Sequence, residues 1–415
     1  MGPGRIVAAL TLAVLASASL WVAGAQAKAS ANAAFQSFIA SLWPQAERIG
    51  VSRATFDAAT RGLQPDLSLP DLVIPGRTER PARAQAEFVQ PPSAYLNERA
   101  IANMAAQGRR LYGQHRATLE TIEKRKGVPA SVILAIWGRE TSFGGTKLRH
   151  DALRILATQA WMGRRKAMFR EEFLMALKIL QDGDVSRGAM KSSWAGAMGQ
   201  TQFLPSDFYK NAVDFDGDGR RDIWNSIPDA LASAANHLVS KGWRPGHRWA
   251  HEVRVPRTVD CSVAHPGHTR TIAEWIAAGY VPAHRARPSP AEMREEASLL
   301  MPEGTHGPAF LTPKNYFVLK EYNFSDLYVL FVGHVADRIA GRKPFETPWS
   351  KTEQLRTADV ERMQIRLREL GLYKDKIDGM AGMLTRAALG AYQKANGLPL
   401  DCWPNLAVLR HMQRN

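Results

Sequence analysis

The sequence predicts a mainly α (α+β) protein with a helical core, a small β lobe and a separate C-terminal domain. From Tyr95 to Lys241 the apolar residues recur at helical spacing with short breaks. Between Trp243 and Tyr322 the chain instead has short β-prone runs among many Pro, Gly and His residues. A charged, proline-containing linker at 343–355 then precedes a domain-like pattern at 356–415.

The N-terminal residues have the pattern of an export signal. Arg5 precedes an apolar run from Ile6 to Val22, and Ala25-Gln26-Ala27 supplies the small-x-small pattern that a signal peptidase needs. We therefore predict a signal peptide at 1–27, a periplasmic location and no integral membrane span after its removal. An uncleaved membrane anchor is the alternative, because the run approaches the roughly 20 residues that cross a bilayer.

The net charge of +15 predicts attraction to a polyanion, which the charge alone does not identify. Nucleic acid, an anionic membrane surface and an acidic cell-wall polymer all fit. Export disfavours nucleic acid, and no recognised nucleic-acid motif accompanies the charge. The chain is long enough to bury a sizeable core, since 45% of its 415 residues are hydrophobic.

Periodicity places the individual elements. In the helical block we expect helices at Ile101–Ile122, Pro129–Phe143, Phe169–Leu180 and Pro228–Val239. The spacing of the apolar residues from Phe35 to Trp43 predicts a helix pair near the N-terminus. We expect an amphipathic helix at Ser325–Ala340 and β-structure at the β-prone runs Val253–Val255 and Tyr316–Leu319.

The two cysteines, Cys261 and Cys402, lie in regions that we assign to different domains. One interdomain disulfide is compatible with an oxidising compartment. No short cysteine spacing indicates a covalent staple or a metal site. Two unpaired thiols are therefore the favoured interpretation.

Glu140 is the candidate catalytic acid. A helix-start signal at Gly127–Ala130 opens an apolar helix, and Glu140 lies near its end. Trp137 and Phe143, three residues to either side, would form apolar walls. Such walls desolvate a carboxyl and raise its pKa, as a general acid at neutral pH requires. A helix-end ion pair with Arg139 is the alternative.

A second segment, Ser193–Ser206, combines small residues with uncharged hydrogen-bonding side chains. Its Gly and Ala residues allow the backbone to approach a ligand closely. Ser193, Gln200 and Gln202 suit sugar hydroxyls and acetamides. A Gly/Ala-rich helix contact would explain the small residues but not the glutamines.

Together the two segments resemble the family of membrane-bound lytic murein transglycosylase B. The E-[ST]-x-[FW]-G block appears as Glu140–Gly144, and the S-x-A-G-A-M-G-x-x-Q-F-x-P-S block is complete over Ser193–Ser206. Further similarity extends the resemblance over nearly all of residues 33–342, at Asp214–Trp224, Ala235–Leu238 and Tyr322–Tyr328.

The resemblance implies a lysozyme-like helical core with an α lobe and a small β lobe. The implied catalytic domain is 28–342, with a mixed β insertion at about 243–322, and its chemistry requires no cofactor. Glu140 is then the single general acid and base, and the candidate substrate-binding residues are Ser193, Gln200, Gln202, Phe203, Tyr322 and Asn323. The family usually has Tyr where this chain has His237.

The implied reaction uses one carboxylate where the usual glycosidase has two. Glu140 would protonate the oxygen that links N-acetylmuramic acid (MurNAc) to N-acetylglucosamine (GlcNAc) in peptidoglycan, while the substrate's acetamide stabilises the developing charge. Glu140 would then deprotonate the muramyl 6-hydroxyl, which closes on C1 to give a 1,6-anhydro product. A hydrolytic lysozyme, in which water attacks instead, is one alternative, and a non-catalytic wall-binding scaffold is another.

An acidic loop matches the first nine positions of an EF-hand calcium loop. The twelfth position is Asn225 rather than Glu, and the resemblance implies Asp229 as the substitute. The predicted ligands of a structural Ca²⁺ are Asp214, Asp216, Asp218, Asp222 and Asp229. A turn capped by its own Asp side chains is the alternative.

Residues 359–412 contain a further set of motifs: Val360-x-x-Met363-Gln364-x-x-Leu367, Leu370-Gly371-Leu372-Tyr373, Ile377-Asp378-Gly379, Thr385-Arg386-Ala387-Ala388 and Tyr392-Gln393. This region resembles the peptidoglycan-binding-domain-1 module, a small three-helix fold. Such a module would hold the enzyme on the polymer and raise the local substrate concentration. Because the candidate catalytic residues precede the linker, cleavage of soluble glycan should not require it.

One alternative concerns this module. Trp403-Pro404 replaces the usual glycine-rich turn, so a structural appendage that has lost binding is the alternative. The predicted partner is the peptidoglycan glycan strand, with other cell-wall enzymes as further candidates and no nucleic acid.

Overall fold

The computed structural model describes residues 29–76, 90–350 and 352–414. The predicted signal peptide at 1–27 lies outside the described residues. Within those ranges no helix has the length and apolar character needed to span a membrane. The chain divides into two compact units, the first made of Met1–Arg83 with Lys147–Ala230 and the second of Ala84–Thr146 with Leu231–Asn415.

Helices form most of the regular structure. In chain order they are α1 (29–41), α2 (Trp43–Arg48), α3 (Arg53–Thr60), α4 (Pro92–Tyr95), α5 (Glu98–Gln114), α6 (Arg116–Lys126), α7 (Ala130–Thr141), α8 (Ala152–Met162), α9 (Lys166–Asp182), α10 (Pro205–Asn211), α11 (Ile227–Ser240), α12 (Ile272–Ala277), α13 (Pro290–Met293), α14 (Lys314–Lys320), α15 (Asp326–Ile339), α16 (Thr357–Glu369), α17 (Met383–Ala395) and α18 (Leu406–Arg414).

The strands are short. They are β1 (His150–Asp151), β2 (Lys191–Ser192), β3 (His251–Arg254), β4 (Thr269–Thr271), β5 (Val281–Pro282), β6 (Glu296–Leu300), β7 (Pro302–Thr305) and β8 (Ala309–Thr312). In the first unit β1 pairs with β2. In the second unit five strands form an antiparallel sheet in the order β4-β6-β8-β3-β5.

The first unit is built around α8 and α9, which pack along each other. Phe169 and Phe173 of α9 are buried, and Phe35 of α1 packs on Trp161 of α8 with ring centroids 5.3 Å apart. Asp151 precedes α8 and caps it by accepting a hydrogen bond from the Arg154 N–H. The predicted helix pair near the N-terminus and the predicted helix at Phe169–Leu180 are both present.

The helical core of the second unit consists of α5, α7 and α15, which pack against one another. Helix α7 is apolar around most of its circumference, because it is enclosed by its neighbours. Close packing requires Gly333 in α15, since a Cβ atom there would lie 2.4 Å from the Trp249 ring. This core positions the ends of α7 and α15 that carry the candidate site.

The predicted β lobe is confirmed, with one exception at its edge. Val253 lies in β3 as predicted, and the sheet buries Leu299 and Leu311 against Trp275. The β-prone run Tyr316–Leu319 is instead helix α14, so that prediction was wrong. The helix follows Pro313 and buries Tyr316, Val318 and Leu319, and this tertiary packing outweighs their β propensity.

The expected long helix at Ile101–Ile122 is two helices. His115, with a φ of −110°, ends α5 and begins α6. The other predicted helices agree with the structure to within a few residues.

The C-terminal region has the three helices that its motifs predict, α16, α17 and α18. Their apolar faces share a core that includes Met363, Leu367, Tyr392 and Leu409. Gln364 is buried at the centre, where its side-chain oxygen accepts the N–H groups of Asp378 and Gly379. The polar motif residue therefore fixes the turn between the first two helices.

Cys261 and Cys402 form a disulfide in the second unit, so the favoured interpretation of two unpaired thiols was wrong. A 3₁₀ turn at Cys261–Val263 packs against α17 and brings the two Cα atoms to 6.0 Å. Gly390 makes this approach feasible, because a Cβ atom there would lie 2.3 Å from the Cys402 sulfur. The bond links residues 141 positions apart, which no local spacing signals.

We predict that Cys402→Ser lowers the free energy of unfolding by about 2–5 kcal/mol, the usual effect of losing a native disulfide. Chemical denaturation monitored by circular dichroism measures the loss. Reducing agent should destabilise the wild type to the level of the variant and leave Cys402→Ser unchanged. Equal stability of the oxidised wild type and Cys402→Ser would contradict a stabilising role for the bond.

Candidate active site

Glu140 lies half-buried in the last turn of α7, where the helix leaves the core of the second unit. The helix ends because Ser142 and Phe143 adopt left-handed φ angles of 51° and 57°. The N–H of Ser142 returns to the carbonyl of Gly138, and the N–H of Gly144 bonds the Thr141 hydroxyl. These bonds fix the turn that follows the carboxyl group.

Two aromatic rings stand beside the end of α7, as the sequence predicts. The rings of Trp137 and Phe143 meet edge to face with centroids 5.6 Å apart. Gly138 leaves the space for this contact, since a Cβ atom there would lie 2.7 Å from the Phe143 ring. The apolar surroundings of the last turn therefore come from residues within three positions of Glu140.

One polar partner of Glu140 comes from a distant part of the sequence. The hydroxyl of Tyr328, in the first turn of α15, donates a hydrogen bond to Oε1 of Glu140. Tyr328 is buried, and burial together with the negative charge of Glu140 raises the pKa of its phenol well above the usual value. The phenol therefore stays protonated and remains a donor across the physiological pH range.

Tyr328 is a site residue that the sequence analysis did not select. The segment Tyr322–Tyr328 was recognised as part of the family resemblance, but its second tyrosine carried no signal of its own. The hydrogen bond spans 188 positions, and only the packing of α15 on α7 creates it.

The guanidinium of Arg139, the neighbour of Glu140, is engaged with aromatic residues. It donates a hydrogen bond of 2.6 Å to the Tyr95 hydroxyl and lies 5.1 Å and 5.3 Å from the ring centroids of Tyr95 and Phe331. Arg139 thus ties α7 to α4 and α15.

The segment Ser193–Ser206 lies in the first unit, directly after β2. The Ser193 hydroxyl oxygen accepts the N–H groups of Ala195 and Ala197 at 3.3 and 3.2 Å. Gly196 has a φ of 86°, and a Cβ atom there would lie 2.4 Å from Leu156. The small residues therefore serve a tight turn packed on α8.

The remainder of this segment is a narrow loop closed by its own backbone. Met198 and Phe203 exchange both backbone hydrogen bonds, and the side-chain amide of Gln202 donates to the Gly199 carbonyl. The Gln200 amide donates to the Trp224 carbonyl. Gln200 and Gln202 are half-buried, whereas the Phe203 ring is buried in the unit's interior.

Tyr322 and Asn323 lie in the second unit, in the loop between α14 and α15. The Tyr322 ring contacts His237 with centroids 4.6 Å apart, so the histidine that departs from the family pattern is in direct contact with a candidate site residue. Asn323 accepts the N–H of Ser325 at 3.0 Å and so shapes the entry into α15. Glu140, Tyr322 and Tyr328 thus belong to one unit, and the four candidates from the Ser193 segment to the other.

The acidic loop belongs to the first unit. Carboxylate oxygens of Asp214, Asp216 and Asp218 all lie within 4.8 Å of one another, and the three side chains are exposed. Gly217 and Gly219, with φ angles of 81° and 88°, donate their N–H groups to Asp214. Clustered carboxylate oxygens are the ligands that Ca²⁺ prefers, so these three residues fit such an ion.

The other two predicted ligands are not part of that cluster. Asp229 is fully buried, and its carboxylate accepts the N–H groups of Phe215 and Asp222 at 2.8 Å each. Burial raises the pKa of Asp229, and these backbone hydrogen bonds oppose the shift. Asp222 caps the following turn by accepting the N–H groups of Trp224 and Asn225. Asp229 therefore holds the two ends of the loop together, and Asp222 fixes the turn that follows it.

Comparison with known proteins identifies both parts of the chain. A family model described as transglycosylase SLT domain matches residues 34–337, and one described as putative peptidoglycan binding domain matches residues 356–412. The chain is 29% identical over 276 residues to membrane-bound lytic murein transglycosylase B of Escherichia coli (strain K12), covering 62% of this chain and 72% of the relative. Both resemblances noted from the motifs are confirmed.

Two solved structures illustrate the similarity of fold. SltB3 from Pseudomonas aeruginosa, in complex with NAG-NAM-pentapeptide, is 37% identical with a TM-score of 0.81, over 91% of this chain and 99% of that one. Escherichia coli lytic transglycosylase Slt35, in complex with calcium, is 26% identical with a TM-score of 0.59, over 74% of this chain and 93% of that one. The predicted fold class, a lysozyme-like helical core with a small sheet and C-terminal helices, is confirmed.

Proposed function

Because the chain belongs to the transglycosylase SLT domain family, we propose that it is a lytic murein transglycosylase with Glu140 as its single general acid and base. The substrate is the β-1,4 bond between MurNAc and GlcNAc of peptidoglycan, and the product carries a 1,6-anhydromuramyl end. The observation that carries the assignment is the half-buried Glu140 carboxyl, placed beside Trp137 and Phe143 and bonded by Tyr328. Enzymes of this family need no cofactor for the chemistry.

The hydrogen bond from Tyr328 assigns different tasks to the two oxygens of Glu140. Oε1 accepts a hydrogen bond from the phenol, and we assign the proton that Glu140 transfers to Oε2. Glu140 gives that proton to the glycosidic oxygen as the bond to C1 of MurNAc breaks. The substrate's own acetamide stabilises the developing positive charge, so no enzyme nucleophile is needed.

The second step returns the proton to the enzyme. The deprotonated Glu140 removes the proton of the muramyl 6-hydroxyl, whose oxygen forms a bond to C1 and displaces the acetamide. The same carboxyl thus acts first as acid and then as base, and it ends the cycle protonated. Tyr328 donates to the carboxylate in the intermediate state, when its charge is greatest.

We assign the neutral polar candidates to substrate binding. Ser193, Gln200 and Gln202 come from one narrow loop, and Tyr322 and Asn323 from another. Hydroxyl and amide groups match the hydroxyls and acetamides of the glycan without adding charge. Phe203 is buried and paired with Met198, so its part is to hold the shape of the first loop.

We assign a structural Ca²⁺ to Asp214, Asp216 and Asp218. The three carboxylates supply the oxygen ligands, while Asp222 and Asp229 fix the loop that presents them. The calcium complex of the similar Slt35 supports the choice of ion. The ion would add stability to the first unit.

The remaining assignments concern location and organisation. We assign residues 1–27 to an export signal, 28–342 to the catalytic domain, 343–355 to the connector and 356–415 to the peptidoglycan-binding module. The enzyme then acts in the periplasm, where its net charge of +15 favours the acidic polymer. Other cell-wall enzymes are candidate partners.

We predict that Glu140→Gln lowers kcat by at least about 100-fold, because the amide keeps the shape of the carboxyl but cannot transfer a proton. Turnover of purified sacculi, followed by mass spectrometry of the digest, measures both rate and product. The wild-type enzyme should release 1,6-anhydro fragments, whose mass is lower by one water than that of the corresponding hydrolysis products. Glu120→Gln, an exposed matched control on α6, should retain wild-type activity. Hydrolysed wild-type products would indicate a lysozyme instead.

We predict that Tyr328→Phe lowers kcat on the order of tenfold, about the loss expected when one charge-assisted hydrogen bond is removed. Because the lost donor favours the ionised carboxyl and the free enzyme requires a protonated Glu140, the alkaline limb of the pH–rate profile should move to higher pH. Tyr373→Phe, which removes a hydroxyl bonded to the Lys376 carbonyl, is the control and should change neither quantity. An unaltered profile for Tyr328→Phe would refute the role of this hydrogen bond.

We predict that 10 mM calcium stabilises the protein by roughly 1.4–2.7 kcal/mol, from a Kd of ~10⁻⁴ to 10⁻³ M typical of extracellular sites. Thermal melts in EDTA and in calcium measure the shift. Asp218→Ala should abolish it, and Asp375→Ala, which removes an exposed carboxylate elsewhere, should not. Coincident wild-type melts in the two buffers would show that the loop is only a turn.

A further inference from the structure

Asp326, the first residue of α15, is the centre of a buried ionic cluster in the second unit. Its carboxylate accepts hydrogen bonds from the Tyr316 hydroxyl at 2.8 Å and from the Lys320 ammonium. The third donor is Nη2 of Arg386, at 3.5 Å. The Asp326 and Arg386 side chains are 12% and 9% exposed, so the pair is largely shielded from water.

Arg386 belongs to the C-terminal module rather than to the catalytic domain. It lies in α17, and its other terminal nitrogen donates to the Ala381 carbonyl at the start of that helix. A buried guanidinium is costly unless a carboxylate pairs with it, so the module is stable in this position only with Asp326 opposite. The charge pair therefore fixes the module to the first turn of α15.

The module is also attached on its other side, to the β lobe. The disulfide joins Cys261 to Cys402, and Lys394 makes an ion pair of 2.6 Å with Asp260. The Thr305 N–H bonds the Asp401 carbonyl. These contacts hold Arg386 at a set place relative to α15.

The connector before the module is also bound along its length. The N–H groups of Glu346 and Thr347 both donate to the Glu252 carboxylate, and Ser350 donates twice to Glu303. The Phe345 ring stacks on His334 of α15 with centroids 3.8 Å apart. Backbone hydrogen bonds to the half-buried Glu252 and the buried Glu303 are not features of a freely rotating tether.

Helix α15 connects this cluster with the catalytic carboxyl. Tyr328 follows Asp326 by two residues, which places the two side chains about 200° apart around the helix axis. Asp326 therefore faces α14 and the module, while Tyr328 faces Glu140 on α7. Contacts that hold Asp326 in place also hold the rotation of the first turn of α15 about the helix axis. They therefore hold the direction in which the Tyr328 hydroxyl points.

We propose that Arg386 of the C-terminal module is a positioning residue for catalysis, acting through Asp326 and the first turn of α15 on the Tyr328–Glu140 hydrogen bond. The module is then a structural part of the catalytic unit in addition to a wall-binding element. This inference rests on the proposed role of Glu140. It differs from the sequence-based expectation that cleavage of soluble glycan does not require the module.

The test uses the full-length, oxidised protein and soluble glycan strands. Arg386→Met removes the charge and keeps the apolar stem, Arg386→Lys restores a cation, and Arg362→Met removes an exposed ion pair with Asp359 inside the module. Arg386→Met should lower kcat roughly 3- to 30-fold, the range for residues that act through intermediates, with unchanged KM and sacculus sedimentation. Arg386→Lys should recover part of the loss, and Arg362→Met should match the wild type.

Two further measurements separate positioning from a general loss of structure. The alkaline limb of the pH–rate profile of Arg386→Met should move in the same direction as in Tyr328→Phe. In the double variant, Arg386→Met should add little to the loss caused by Tyr328→Phe, because both act on one hydrogen bond. Multiplicative losses in the double variant, or equal losses in Arg386→Met and Arg362→Met, would overturn the proposal.

The design remains decisive if Arg386→Met does not fold. Tyr316→Phe removes only a hydroxyl from the same carboxylate, and it should lower kcat in the same direction with KM unchanged. Wild-type kcat in a folded Tyr316→Phe protein would then overturn the link. The masses of the products are measured independently of the kcat values of the variants. Hydrolysed wild-type products would refute the proposed function. Anhydro products together with unaffected kcat values in the variants would refute only the positioning role.

Discussion

The hydrogen bond between Tyr328 and Glu140 is the interaction on which the candidate site depends. It joins the last turn of α7 to the first turn of α15, and those helices pack together in the core of the second unit. A carboxyl at a helix end would otherwise rotate among several rotamers. The phenol selects one of them, and the buried helices on either side keep the phenol itself in place.

This arrangement also suits the proposed double role of Glu140 as acid and base. A donor that stays protonated at all working pH values distinguishes the two carboxyl oxygens throughout the cycle, because burial and the nearby charge raise the pKa of Tyr328. Trp137 and Phe143 contribute an apolar surface on the helix that carries Glu140. The site therefore combines a local feature, the aromatic residues around Glu140, with a distant one, the tyrosine of α15.

The sequence predicts the local feature of the site, the aromatic residues around Glu140, but not the distant one, the tyrosine of α15. Trp137, Glu140 and Phe143 lie within seven positions, so their closeness in the sequence already predicts that they lie together. The Tyr328 contact, the Cys261–Cys402 bond and the helix at Tyr316–Leu319 all depend on packing between distant segments. In the acidic loop, one part is predicted by the sequence and another is not. The spacing of the aspartates predicts the carboxylate cluster, whereas the burial of Asp229 is seen only in the folded structure.

The attachment of the module changes how it can contribute to catalysis. A module on a flexible tether raises the effective substrate concentration, and its benefit depends on the length of the linker. Here the disulfide, the Lys394–Asp260 pair and the bound connector fix the module within the second unit. A glycan held by the module would then meet Glu140 at a set spacing instead of a distribution of spacings. A fixed module can therefore contribute through geometry as well as through local concentration, and the Arg386–Asp326 pair joins it to the helix that carries Tyr328.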